Sequence, residues 1–373
     1  MKTSKRKIKV ASFGLVICVG LALWWGATDT ASIVPVNAME STTTPTPDIS
    51  FSSQVFWPSH EEEDGAIVTA VAIGPDGSVY VLHRANRAFG VDDTPINEPV
   101  IFRLDVETGE IIERFGAGLF VSPHGMSVAA DGSIWVADVS LNIVAHLDTT
   151  GRLIAIYGKP YPFYLEALLR LRNVFTRLPV PMDDNTFARP TDVVPLANGR
   201  FAVTDGYRNS RLAVFDASGN LVWQINKRGS EPGAFHLPHG ISADSAGHIY
   251  VADRRNARVQ VFSDDGVLMR VISGAFAGRP YGVDVAANGC LYIADGGDSL
   301  DLKDDNFSPN MRAGFSVFSE DGIPIGRWGN TVDGPEDFLL PHDIAVGRDG
   351  RVYIADTDAE QVLAIDLAGH CEN

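Results

Sequence analysis

The sequence predicts an all-β protein, a six-bladed β-propeller that follows an N-terminal signal or anchor helix. A turn of small or polar residues ending in glycine, then an apolar strand, recurs six times: PDG-SVYVLH, ADG-SIWVAD, ANG-RFAVTD, SAG-HIYVAD, ANG-CLYIAD and RDG-RVYIAD. The glycines are Gly77, Gly132, Gly199, Gly247, Gly289 and Gly350, and their spacing is that of a four-stranded blade. Each unit reads as four short Val/Ile/Tyr-rich strands, in the fourth GISADS, HIYVAD, ARVQVFS and VLMRVIS. The last unit stops after EQVLAID without a fourth strand, while an apolar segment at 51–57, FSSQVFW, precedes the first unit. That segment is expected to fill the outer position of blade six and close the ring, leaving no blade incomplete.

The elements divide the 373 residues into a signal peptide or signal anchor (1–27), a linker (28–50) and the propeller (51–373). Residues 2–9 are basic and 10–27 are uncharged and apolar, the order of an export signal. The apolar run sits at the lower edge of a membrane span, so cleavage near Ala38 and retention as an anchor both stay open. The lysines place the N-terminus in the cytoplasm and the rest outside it, periplasmic or extracellular. Residues 28–50 are Thr/Pro/Ser-rich, with nothing to pack. Net charge is −17, and removing the five leader cations leaves the remainder near −22. A body this acidic repels phosphate backbones, which argues against nucleic acid as a partner. Outside the leader, only Cys290 and Cys371 remain, enough for at most one disulfide.

Two units carry insertions. Residues 159–187 contain YLEALLRLRNVF, whose apolar spacing suits an amphipathic helix packed on the propeller edge. Its arginines, Arg170, Arg172 and Arg177, are read as a solvated basic face, with contact to an anionic membrane or a cap on the ring as the alternatives. Residues 298–312 are acidic but lack the spacing of a calcium loop, and read as a solvated loop.

Aligning the units on the turn glycine exposes the chemistry. Eight residues before it stand His124, His239 and His342 in units two, four and six, with Thr69, Thr191 and Tyr281 in the odd units. This position begins the strand that lines the central channel, and alternate blades of a six-fold ring lie 120° apart. Three sequence-remote imidazoles are therefore expected to meet on the axis. Three neutral imidazoles without thiolates suit Zn²⁺ with a fourth position open, as a catalytic site requires; other late first-row metals share the ligand preference. Six residues after the glycine, Asp138, Asp205, Asp253, Asp295 and Asp356 recur, read as turn-forming acceptors. Unit one has His83-Arg84 instead, and Arg254 takes the place of Arg84 in unit four. An arginine here either grips a substrate carboxylate or pairs with a local acid. Tyr207, after Asp205-Gly206, aims a phenol at the same mouth, where a neighbouring cation favours its use as a base.

SPHGMSV, TDGYRNSRL, LPHGISA, VADRRNARVQ and LPHDIAV, spread over residues 66–367, resemble the NHL-repeat peptidyl-α-hydroxyglycine α-amidating lyases, also called peptidylamidoglycolate lyases. The resemblance implies a zinc enzyme with His124, His239 and His342 as ligands, and Arg84, Tyr207 and Arg254 in the catalytic pocket. It also implies a structural Ca²⁺ held by Asp343 with backbone oxygens of Val71 and Met126. The implied reaction cleaves a carbinolamide C–N bond of a peptide or small C-terminal α-hydroxyglycine substrate, giving an amide and glyoxylate. Arg208 and Leu340 depart from the family pattern, which has a cysteine and a methionine there. A non-catalytic extracytoplasmic propeller binding protein or glycan, and a six-bladed lactonase or esterase, are the competing readings; the three-histidine set is the wrong donor set for a calcium lactonase. A monomer is expected, touching a membrane only through residues 10–27 if these are retained.

Overall fold

The computed structural model describes residues 51–58, 65–87, 94–175, 178, 180, 182–274, 276–297, 312–329 and 337–367. The leader, the linker and all but the last residue of the 298–312 insertion lie outside them, as do Arg177 and Cys371. The described residues contain six four-stranded antiparallel sheets. Their channel-lining strands are Val68–Ile73, Pro123–Val128, Asp192–Pro195, Pro238–Ala243, Pro280–Val285 and Pro341–Val346. Phe51–Trp57 pairs antiparallel with Gln361–Leu367, from Phe51 opposite Leu367 to Val55 opposite Leu363. The ring thus closes in blade six as the sequence predicts.

The repeat turns explain the glycines. In five of the six, the amide of the glycine bonds back to the carbonyl three residues earlier, as Gly132 does to Ala129 at 2.8 Å. The six glycines hold φ between 70° and 90°, a region a Cβ makes costly. Blades pack face to face, so the core lies between them. Trp135 of blade two packs at a tilt against Phe201 of blade three at 5.0 Å, and Phe201 stacks on Phe215 at 5.2 Å, within one buried apolar cluster.

The recurring aspartates do more than form turns. Asp138 accepts the amides of Val121 and Ser122 at 2.8 and 2.9 Å, Asp253 that of His236 at 2.7 Å, and Asp356 those of Leu339 and Leu340 at 2.8 and 2.7 Å. These are the segments that lead into Pro123-His124, Pro238-His239 and Pro341-His342. Each buried carboxylate satisfies amides that strand pairing leaves over, and so fixes where the imidazole begins. In blade one the equivalent side chain is His83, packed between Trp57 and Phe102.

The insertion in blade two forms a helix, α1 (Phe163–Val174). Leu165 and Leu169 are buried against Ala188. Arg170 stays on an exposed face as the sequence suggests, whereas Arg172 does not, which corrects the expectation at that residue. Arg170 pairs with Glu166 at 2.9 Å, and half-buried Arg172 donates to the Arg208 carbonyl at 2.7 Å and to Asn209 Oδ1. Cys290 is disulfide-bonded. Among the described residues no helix is long and apolar enough to cross a membrane.

Candidate metal centre

The three histidines meet. Their ligand atoms lie within 4.8 Å of one another, and the ring centroids form a near-equilateral triangle of 4.6, 4.8 and 4.9 Å. The odd blades supply what the even ones need. His124 Nδ1 donates to the Thr191 carbonyl at 2.7 Å, His239 Nδ1 to that of Tyr281 at 2.8 Å, and His342 Nδ1 to that of Thr69 at 2.7 Å. With every Nδ1 proton committed to a carbonyl, the tautomer is set and each Nε2 lone pair is left for the axis. Glycine follows two of the histidines because the next blade comes too close for a side chain: a Cβ on Gly240 would lie 2.6 Å from the Tyr281 carbonyl oxygen.

Burial pushes all three imidazoles below the ordinary histidine range, His342 to about 3 and the other two well below 6.5. The neighbouring imidazoles and the charges of Arg84 and Arg254 push in the same direction. Neutral, pre-oriented and free of competing thiolate or carboxylate donors in their own layer, the three nitrogens fit a borderline transition ion such as zinc. A cavity of about 10 Å³ lies among them, bounded also by Asp192 and Asp343.

Tyr207 reaches further in than a position at the mouth. Its hydroxyl is 2.9 Å from His124 Nε2 and 3.3 Å from His239 Nε2. Arg84 is close enough to Tyr207 to interact with it electrostatically, and burial lowers its pKa. Arg254 is buried with its guanidinium carbon over the Tyr281 ring, 3.9 Å from the centroid, and Nη2 donates to the phenol oxygen at 2.5 Å. Tyr281 packs in turn against His239 at 5.1 Å. The sequence register placed Tyr281 at the histidine position; the signal that it acts on the site was the aromatic ring standing where the other odd blades have threonine.

One residue below the histidines lies a second layer. Asp343 accepts the Val71 amide at 3.1 Å, and Val71, Met126 and Asp343 all line a cavity of about 810 Å³ that runs on through the channel. A second carboxylate, Asp192, lies in the same layer and accepts the amides of Val193 at 2.8 Å and Ile241 at 3.0 Å. Burial pushes both acids up, and Asp343 is raised further by repulsion from Asp192. Oxygen donors of this kind suit a hard cation. Asp192 was missed in the sequence, although PTD in unit three repeats PHD of unit six. Among the described residues the other histidines, His83, His146, His236 and His248, do not join this cluster; His248, for one, pairs with Asp244 at 2.7 Å.

A family model described as NHL repeat matches residues 235–262 and 338–364, within two of the histidine-bearing blades. The chain is 30% identical over 339 residues to peptidyl-glycine alpha-amidating monooxygenase B of Xenopus laevis, covering 84% of this chain and 35% of that protein. It thus spans about a third of that relative's length. It is 29% identical over 325 residues to a probable peptidyl-alpha-hydroxyglycine alpha-amidating lyase of Caenorhabditis elegans, covering 80% of this chain and 82% of the relative. A solved streptogramin B lyase superposes with a TM-score of 0.52 at 15% identity, over 85% of this chain and 98% of the other, a likeness of fold alone. The chain therefore carries NHL repeats and is similar over most of its length to amidating lyases, which supports a lyase.

Proposed function

We propose that this NHL-repeat propeller is a zinc-dependent lyase that cleaves the C–N bond of a peptidyl-α-hydroxyglycine-type carbinolamide, releasing an amide and glyoxylate. The observation that carries the reading is the placement of the Tyr207 hydroxyl within 2.9 and 3.3 Å of two of three converging imidazole nitrogens. His124, His239 and His342 would hold the metal, which when bound acts as a Lewis acid that acidifies a hydroxyl. The phenolate of Tyr207 takes the proton of the substrate hydroxyl. The electron pair left on the oxygen closes the aldehyde C=O, the C–N pair leaves with the amide nitrogen, and that nitrogen takes the proton back from Tyr207, so no water is consumed. Arg84 and Arg254 orient the substrate carboxylate, Arg254 in the attitude Tyr281 imposes.

Asp343, with Val71 and Met126, is proposed to hold a structural calcium, for which the buried carboxylates supply the hard donors. The chain is proposed to work outside the cytoplasm, a reading supported by the basic-then-apolar leader and by the disulfide at Cys290.

The test is glyoxylate release from an N-acyl-α-hydroxyglycine, with and without a chelator. Release that the chelator abolishes and added Zn²⁺ restores is expected; a metal-replete protein that yields no glyoxylate refutes the reading. Tyr207→Phe is expected to keep the metal and slow turnover by about 10²–10⁴, and an unchanged rate would remove Tyr207 as the base.

A further inference from the structure

The α1 insertion converges on the loop that carries Tyr207, and it does so through a single carboxylate. Glu166, on the first turn of α1, is 15% exposed and collects four donors. Tyr161 donates to Oε2 at 2.7 Å; Arg170 at 2.9 Å and Arg208 at 3.1 Å donate to Oε1, with Arg189 paired to the same oxygen at 3.6 Å. Two of these donors bracket the tyrosine. Arg208 is its neighbour in sequence, and its amide bonds to the Ala188 carbonyl at 3.1 Å, while the Tyr207 amide approaches the Arg189 carbonyl at 3.4 Å. Arg172, six residues further along α1, holds the same loop through the Arg208 carbonyl.

The backbone gripped in this way is a strained one. Arg189 sits at φ 61°, a left-handed conformation costly for a side chain with a Cβ, immediately before Pro190 and the Thr191 whose carbonyl orients His124. Such a conformation persists only where its surroundings hold it. Here they are the Glu166 ion pair and the Asn142 Oδ1 that accepts the Arg189 amide at 2.9 Å.

We infer that Glu166 is a positioning residue for the lyase reaction: through Arg208 and Arg189 it fixes the Tyr207 loop, so that the phenol stays over the imidazoles. The inference rests on the reading of Tyr207 as the base. Burial alone would raise the Glu166 carboxyl, but the Tyr161 hydroxyl and the surrounding arginines hold it at about 2, so it stays ionised throughout the working range. The mouth-side helix is on this account part of the catalytic scaffold and not a membrane contact.

Glu166→Gln removes the charge and keeps the shape. In the full chain it is expected to lower kcat by about ten- to a hundredfold, the scale of a small misplacement of a reacting group, with KM and metal content unchanged. Introduced into Tyr207→Phe, the same substitution is expected to change kcat little, because the group it positions is already gone. An unchanged kcat in the single variant, or an equal loss in both backgrounds, overturns the inference. If Glu166→Gln does not fold, Arg208→Gln breaks the same ion pair from the loop side and is expected to give the same non-additivity. Hydrogen exchange at the Tyr207 and Arg208 amides provides a readout independent of turnover. Faster exchange in Glu166→Gln supports the strap even if the wild type releases no glyoxylate, and equal exchange sinks it.

Discussion

Two layers of the channel lie one residue apart in the repeat register, yet they are built on opposite principles. In the upper layer, three bases from alternate blades are buried uncharged, each tied through Nδ1 to a carbonyl of the next blade. Nothing in that layer repels its neighbours at neutral pH, so it can be assembled before an ion arrives. In the lower layer, Asp192 and Asp343 are buried acids whose mutual repulsion raises Asp343. Backbone amides meet part of their demand, but two charges in a low-dielectric channel are costly without a cation or a proton. The upper layer is preorganised for its ion; the lower one needs an ion, or a proton, to be comfortable.

The largest expected effect falls on the upper layer. His239→Ala removes one of three ligands and frees the Tyr281 carbonyl, so metal content by elemental analysis should fall below stoichiometry. Glyoxylate release should drop by at least about 10³-fold, as expected when both the Lewis acid and its alignment are lost. A fully active, metal-replete variant would refute the trigonal site.

A smaller effect is expected one step outward. Tyr281→Phe deletes the hydroxyl that receives Arg254 at 2.5 Å but keeps the ring beneath the guanidinium. If Arg254 binds the substrate carboxylate, KM should rise about tenfold, the worth of one charge-assisted hydrogen bond, with metal content intact. A change in kcat alone would instead assign Tyr281 to the His239 side.

The lower layer gives a prediction of sign. Asp343→Asn removes one of two buried carboxyls that are costly to bring, charged or protonated, out of water. In calcium-free protein it should raise the melting temperature by a few degrees, about what 1 kcal/mol produces in a chain of this size. With calcium in excess it should lower it, because a ligand is lost. The same sign under both conditions would show that the carboxylates do not share a cation.

The difference between the layers also marks what the sequence could reveal. Six turn glycines and the FSSQVFW segment were enough to order the blades, because strand period and turn chemistry are local and closure needs only counting. The histidine register was legible for the same reason: a ring converts equal positions in sequence into equal depths in space. What escaped was lateral. Nothing in the spacing says that Arg254 lies on Tyr281, that Asp192 shares a layer with Asp343, or that Arg172 and Glu166 reach the Tyr207 loop from an insertion some forty residues earlier. These contacts depend on which way long side chains turn once the blades are side by side. Arg172 of α1 was misread for that reason; amphipathic spacing identifies the buried face, but it does not tell a solvated cation from one engaged by a neighbouring loop.

The smallest effect compares His83 with the channel imidazoles. His83 is also buried and neutral, pushed down to about 4, but it packs between Trp57 and Phe102 and its Nδ1 accepts the Ala85 amide at 3.1 Å. Because its folded pKa lies below the ordinary 6.5, the unfolded chain takes up a proton that the folded one refuses. Its contribution is therefore fully present above about pH 6.5 and is lost progressively as the pH falls toward about 4. Between pH 7 and pH 6 the loss should be about 0.7 kcal/mol. Chemical denaturation of metal-saturated wild type and His83→Leu at these two pH values isolates it, since every other titrating group is common to both proteins. The wild type should lose that much more stability than the variant. Equal losses would mean that His83 is protonated in the folded state, and that burial in this ring does not by itself keep an imidazole neutral, which would weaken the case for a preformed upper layer as well.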